Sequence, residues 1–211
     1  RAGLDAGAAA GMADRRPAAV AICGLGGSAA GGRLLSALFA ERLAVPVVSV
    51  DTTSLPGWVR EDTLVVCVSY SGKTAETLLL WDEAGVRGAL RAAITAGGDL
   101  AERARAAGAP CAVVEGGFQP RGALGLLLGA LAAVLDQAGA VPGAAAALAA
   151  AIPAAERAVA AEQADPASAR AEAERLAGHA VVFYGSGARA AAAVRLKNQV
   201  NENAKAAAWA A

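Results

Sequence analysis

Short continuous apolar runs alternate with stretches of helical periodicity along the first half of the chain. Ala18–Cys23 is unbroken by polar residues and ends at Gly24, the pattern of a strand buried on both faces of a parallel sheet. The glycine-rich turn Gly24-Leu25-Gly26-Gly27-Ser28 leads into Ala29–Arg42, where Leu34, Leu35, Leu38 and Phe39 repeat at helical spacing. Val47–Val50 predicts the next strand, and Leu64–Val68 a third, which ends in Ser69-Tyr70-Ser71-Gly72-Lys73-Thr74 before a helix from about Ala75. Leu90–Thr95, a helix near Asp99–Ala107 and Cys111–Val114 complete the alternation. Strand and helix in strict turn imply an α/β fold, a doubly wound parallel sheet with helices on both faces. Ligands of such sheets sit beyond the carboxyl ends of the strands.

Outside this region the pattern is less regular. Residues 2–13 predict a short alanine-rich helix, and Ala123–Leu135 one that is apolar all round, buried in a domain core or a subunit contact. Pro142-Gly143 and the alanine-rich stretch Ala144–Ala164, interrupted by Pro153 and closed by Asp165-Pro166, read as connecting helices and a linker. From Ala169 come a helix to Ala177, a strand His179–Tyr184, a Gly185-Ser186-Gly187 turn and a helix from near Gly187. This second strand–turn–helix unit echoes the first but stands alone. One strand makes no sheet, so the segment is expected to be the start of an incomplete domain.

Composition narrows the possibilities. The 211 residues suffice for one good core or two small ones. Basic and acidic residues number 19 each, so no net field draws the chain to nucleic acid or to anionic lipid. A membrane span needs about 18 consecutive apolar residues; Ala123–Leu135 is shorter and lies between Arg121 and Asp136. The stretch Arg1 to Pro17 lacks the apolar core of a signal peptide, which makes a cytoplasmic location the expectation. Cys23, Cys67 and Cys111 fall at even spacing inside strand-like runs and read as buried thiols on neighbouring strands. The single histidine, His179, has no ligand partner at metal-binding spacing.

The candidate chemistry lies in the turns and at the C-terminal end. Successive backbone N–H groups at a glycine-rich turn, the helix dipole behind them and serine or threonine hydroxyls together bind anions. Two such turns, around Ser28 and around Ser69, Ser71 and Thr74, would enclose a phosphate between them, whereas a single one reads better as a helix cap. Gly24-Leu25-Gly26-Gly27-Ser28-Ala29 also fits the dinucleotide pattern G-x-G-x-x-A, with Asp51 ending the following strand where a ribose-binding acid stands. Gly72-Lys73-Thr74 imitates the tail of a nucleotide P-loop, but Cys67 occupies the position where that loop requires glycine. The polar run Lys197–Trp209 puts Asn198, Glu202 and Lys205 on one face if the helix continues through it. A carboxylate there can move protons while an ammonium and an amide steady developing charge. The alternative is a surface ion pair between Glu202 and Lys205, worth about 0.2–0.5 kcal/mol.

Five segments in order carry a resemblance. Gly24-Leu25-Gly26-Gly27-Ser28-Ala29, Leu55-Pro56-Gly57-Trp58-Val59, Ser69-Tyr70-Ser71-Gly72-Lys73-Thr74, Gln119-Pro120-Arg121-Gly122-Ala123-Leu124-Gly125 and Asn201-Glu202-Asn203-Ala204-Lys205 resemble the sugar isomerase (SIS) fold. Within it they are similar to the bifunctional phosphoglucose/phosphomannose isomerases. The resemblance implies an SIS domain over 1–140, connecting helices over 141–168, and over 169–211 the start of a second, truncated SIS domain. It implies a homodimer that interconverts fructose 6-phosphate with glucose 6-phosphate and mannose 6-phosphate, with no metal or redox cofactor.

By similarity, Gly27, Ser28, Ser69, Ser71 and Thr74 hold the phosphate, Glu202 shuttles a proton between the first two sugar carbons, and Arg121 stabilises the enediolate. Arginine after proline at the head of a buried helix can also serve structure alone. Lys73 stands where the family usually has asparagine and Ala75 where it has glutamate, adding positive charge to the phosphate turn. The family's ring-opening histidine follows the Asn-Glu-Asn-Ala-Lys segment, and His179 precedes it. Two other functions fit the same residues: a non-catalytic sugar-phosphate-binding SIS module, and a Rossmann-type oxidoreductase dependent on Asp51.

Overall fold

The computed structural model describes residues 1–12 and 16–211, which form two compact units, Arg1–Ala146 and Ala147–Ala211. The first holds a parallel sheet of β1 (Ala19–Cys23), β2 (Val47–Val50), β3 (Thr63–Val68), β4 (Leu90–Thr95) and β5 (Cys111–Val113) in the order β2-β1-β3-β4-β5. All five lie within a residue or two of the runs read from the sequence. The central strand β3 is buried along its whole length, which is why no polar alternation marks it.

The helices α1 (Ala2–Ala9), α2 (Gly27–Leu38), α3 (Ala75–Val86), α4 (Gly98–Ala106) and α5 (Leu124–Gln137) cover the sheet. On one face, Leu78, Leu80 and Trp81 of α3 and Leu100 and Ala104 of α4 pack on Ala21, Cys23, Val65, Cys67 and Ala93. On the other, α2 lies close enough for Gly32 to sit against the Ile22 side chain, and α5 packs on α2 and α1. The all-apolar stretch beginning at Ala123 is therefore a core helix of the first unit, buried from Gly129 to Leu135. The expected N-terminal helix ends at Ala9, four residues short of the predicted end; Ala13 lies outside the described residues.

The approach of α1 to α5 depends on small residues. A Cβ on Gly3 would fall 2.2 Å from the carbonyl oxygen of Leu126, and one on Gly129 would fall 2.9 Å from the Leu4 nitrogen. Gly3→Ala is therefore expected to force the helices apart and to cost about 1–3 kcal/mol, read as a lower midpoint of urea unfolding.

Cys23 and Cys67 are register partners on adjacent strands, and Cys67 and Cys111 both pair with Ala93 between them. The Cys23 thiol beside it, and then burial, push Cys67 well above the usual thiol range. Cys111 differs from expectation in being half-buried, near the sheet edge, where partial burial pushes its thiol up as well.

A clamp fixes the Leu55–Val59 segment to α3. Glu83 Oε2 accepts the Leu55 N–H at 2.9 Å, while the Arg87 guanidinium donates to the carbonyl oxygens of Leu55 at 3.0 Å and Pro56 at 2.7 Å and to Glu83 Oε1 at 2.6 Å. Charge-assisted bonds of this kind contribute about 1.5–3 kcal/mol when partly buried. Arg87→Ala is expected to lose about 2 kcal/mol and to open the 55–59 segment to proteolysis, both measurable on the purified protein.

The second unit corrects several expectations. Ala144–Ala164 is one helix, α6, running through Pro153 in a stretch that is almost wholly exposed, so the carbonyl released by proline meets water. Asp165-Pro166 opens α7 (Pro166–Leu176) instead of closing a linker. The Asp165 carboxylate accepts the Ser168 N–H at 3.2 Å, and proline suits the first helical position. Strand β6 (Val181–Phe183) is not alone: β7 (Ala208–Ala210) pairs parallel to it. Between them lie α8 (Ala188–Gln199) and a π-helical turn, Val200–Ala204. Among the described residues one helix, Ala144–Ala164, is long and apolar enough to cross a membrane by length and composition, a property that its alanine content confers and that Ala123–Leu135 lacks.

Candidate functional site

The strand order places a topological switch point between β1 and β3: the chain leaves β1 into α2 on one face and leaves β3 into α3 on the other. The two turns singled out from sequence both fall there. In the first, the Gly24 N–H donates to the Val50 carbonyl at 3.2 Å and the Ser28 N–H to that of Leu25 at 3.1 Å, leaving Ser28 half-buried in the first turn of α2. In the second, Ser69 is buried and its hydroxyl lies 2.9 Å from that of Thr74. Ser71 and Lys73 are exposed, and the Lys73 N–H donates to Ser71 Oγ at 3.3 Å.

The hydroxyl-rich turns do not act as plain caps. Gly26 precedes α2 without a side chain, and the Thr74 side chain makes no cap bond to α3, its hydroxyl being turned to Ser69. Both helices thus begin with N–H groups that no N-cap side chain satisfies, the arrangement that suits an anion.

Gly72 shapes the second turn. Its φ of 68° is in the left-handed region, its N–H donates to the Ser69 carbonyl at 3.0 Å, and its own carbonyl accepts the Leu100 N–H at 3.0 Å. Buried Thr95 supports the neighbouring loop, donating to the Gly97 carbonyl at 2.7 Å.

Arg121 stands in a 3₁₀ turn, Pro120–Gly122, at the head of α5 and is exposed. That turn lies against the glycine-rich turn before α2: a Cβ on Gly27 would be 3.4 Å from the Pro120 carbonyl oxygen and 3.8 Å from Arg121 Cα. Gly27, Ser28, Ser69, Ser71, Lys73, Thr74 and Arg121 therefore all belong to the first unit, at the carboxyl ends of its strands. Asp51, the acid of the dinucleotide reading, is ion-paired with Arg33 of α2.

Asn198, Glu202 and Lys205 belong to the second unit, and the shared helical face predicted for them does not form. Asn198 is on α8, Glu202 is exposed within the π turn, and Lys205, at φ 54°, ends the helix in the left-handed conformation. The reason lies downstream: the chain must leave the helix to reach β7, and Asn201 Oδ1 holds the junction by accepting the Ala208 N–H at 2.8 Å. His179 precedes β6, its Nδ1 3.1 Å from the Ala177 carbonyl at the end of α7.

The parallel sheet with its flanking helices is an SIS-type fold. Residues 15–109 match the SIS domain family, and residues 166–211 match the bacterial phospho-glucose isomerase C-terminal SIS domain. A relative in Aquifex aeolicus, named bifunctional phosphoglucose/phosphomannose isomerase, is 35% identical over 90% of this chain and 57% of its own length. One of the same name in Caldicellulosiruptor bescii is 44% identical over 50% of this chain and 31% of its own. The matches thus span from about a third to little more than half of the length of such relatives. Among solved structures, the C-terminal domain of glucosamine-fructose-6-phosphate aminotransferase from Francisella tularensis matches all of this chain and 66% of its own, with a TM-score of 0.75 and 14% identity, a likeness of fold.

Proposed function

We propose that the protein is an aldose–ketose isomerase of hexose 6-phosphates, interconverting fructose 6-phosphate with glucose 6-phosphate and mannose 6-phosphate. The observation that carries the proposal is the convergence of two uncapped, hydroxyl-bearing helix starts at the switch point, with the Arg121 turn packed against Gly27. The names of the relatives support the same chemistry. In this reading Gly27, Ser28, Ser69, Ser71 and Thr74 bind the phosphate, Lys73 adds charge at its rim, and the Arg121 guanidinium faces the oxygen on which the enediolate charge develops.

Glu202 takes the proton from one of the first two sugar carbons and returns it to the other, with Asn198 and Lys205 supporting it. The reaction is redox-neutral within the sugar and needs no cofactor. The protein works as a homodimer in the cytoplasm.

A coupled glucose 6-phosphate assay with fructose 6-phosphate as substrate tests the reading. Turnover is expected; binding of the sugar phosphate with no turnover of either hexose would favour the non-catalytic SIS module in its place.

A further inference from the structure

We propose that Tyr70 is a positioning residue that holds the Arg121 turn in register with the phosphate turns, an inference that rests on the isomerase reading of the site. Tyr70 stands between Ser69 and Ser71, in the turn that the Gly72 N–H closes on the Ser69 carbonyl at 3.0 Å. The ring is buried, and its hydroxyl is doubly engaged. It donates to the Glu115 carbonyl at 3.1 Å and accepts the Phe118 N–H at 3.0 Å.

Those two groups belong to the loop that leads to Arg121. Residues 115–122 are all exposed, so little apolar burial holds this stretch in place, and its position depends on bonds to the body of the domain. Tyr70 supplies two of them three residues or more before Arg121, and Gly27 lies close to the same turn. One residue of the phosphate turn thereby sets the distance between the anion site and the guanidinium. Phenylalanine would fill the same volume and leave a carbonyl and an N–H without their partner.

Tyr70→Phe is the test, because it removes one oxygen and preserves the core. Amide exchange at Phe118 is expected to quicken by about tenfold or more. The kcat for fructose 6-phosphate is expected to fall by about ten- to a hundredfold, the scale of a small misplacement of a catalytic group. The KM and the affinity for inorganic phosphate should hold within about twofold, since the phosphate hydroxyls are untouched. Combined with Arg121→Ala, the substitution should add no further loss, as both act through one group.

Unchanged exchange at Phe118, a loosened loop with undiminished kcat, or losses that multiply in the double variant would each overturn the proposal. Should Arg121→Ala alone turn over normally, the fault lies with the enediolate role given to Arg121. The exchange rate at Phe118 in Tyr70→Phe then still decides whether the tyrosine anchors that turn.

Discussion

Gly72→Ala is expected to lower both the stability of the first unit and its hold on a phosphate, more than any other single methyl group in the turns. Two effects combine. An L-residue at φ 68° costs about 1 kcal/mol, and the new Cβ would stand 1.8 Å from the Gly97 carbonyl oxygen and 2.8 Å from Thr95 Oγ1. Because the first contact is with backbone, no rotamer change relieves it, and overpacking of this sort adds about 1–3 kcal/mol.

The loop that must yield carries the start of α4, whose Leu100 N–H binds the Gly72 carbonyl, so displacement spreads to the neighbouring crossover. The sum, about 2–4 kcal/mol, corresponds to a fall in Tm of roughly 4–16 °C for a unit of this size, measurable by calorimetry. Phosphate affinity should fall as Ser69, Ser71 and Thr74 lose their common geometry. Gly26→Ala separates the two causes. Gly26 has φ 55° but open space around it, so only the conformational cost of about 1 kcal/mol is expected there. Equal losses at the two glycines would remove the steric argument.

The first unit was legible because its strands are apolar runs closed by glycine or a polar turn, a pattern that burial on both faces imposes on the inner strands β1 and β3. The strand order was not encoded locally, yet it places both turns at one crevice. Tyr70 escaped the sequence reading because a tyrosine just past an apolar strand looks like core, and its two partners are backbone groups 45 and 48 residues away.

The second unit was harder to read for a physical reason. Alanine favours helix wherever it stands, so Ala206, Ala207 and Ala208 gave no sign that the chain leaves the helix at Lys205 and pairs with β6. The break at Pro153 was over-read for the same cause, since an exposed alanine helix can tolerate a lost bond that water replaces.

Glu202→Gln is expected to have the largest effect on turnover. The amide keeps the size and hydrogen-bonding reach of the side chain but has no basic oxygen to accept a carbon-bound proton. Loss of a general base lowers rates by about 10²–10⁴-fold, so kcat should fall by that factor while KM for fructose 6-phosphate changes little. The same variant should no longer exchange solvent deuterium into the second sugar carbon, a reading of the proton transfer that is independent of product release. Because Glu202 is exposed and lies in a turn, the substitution should leave the unfolding free energy within about 0.5 kcal/mol of the parent. A stable variant that still isomerises at the parental rate would take the proton transfer away from Glu202.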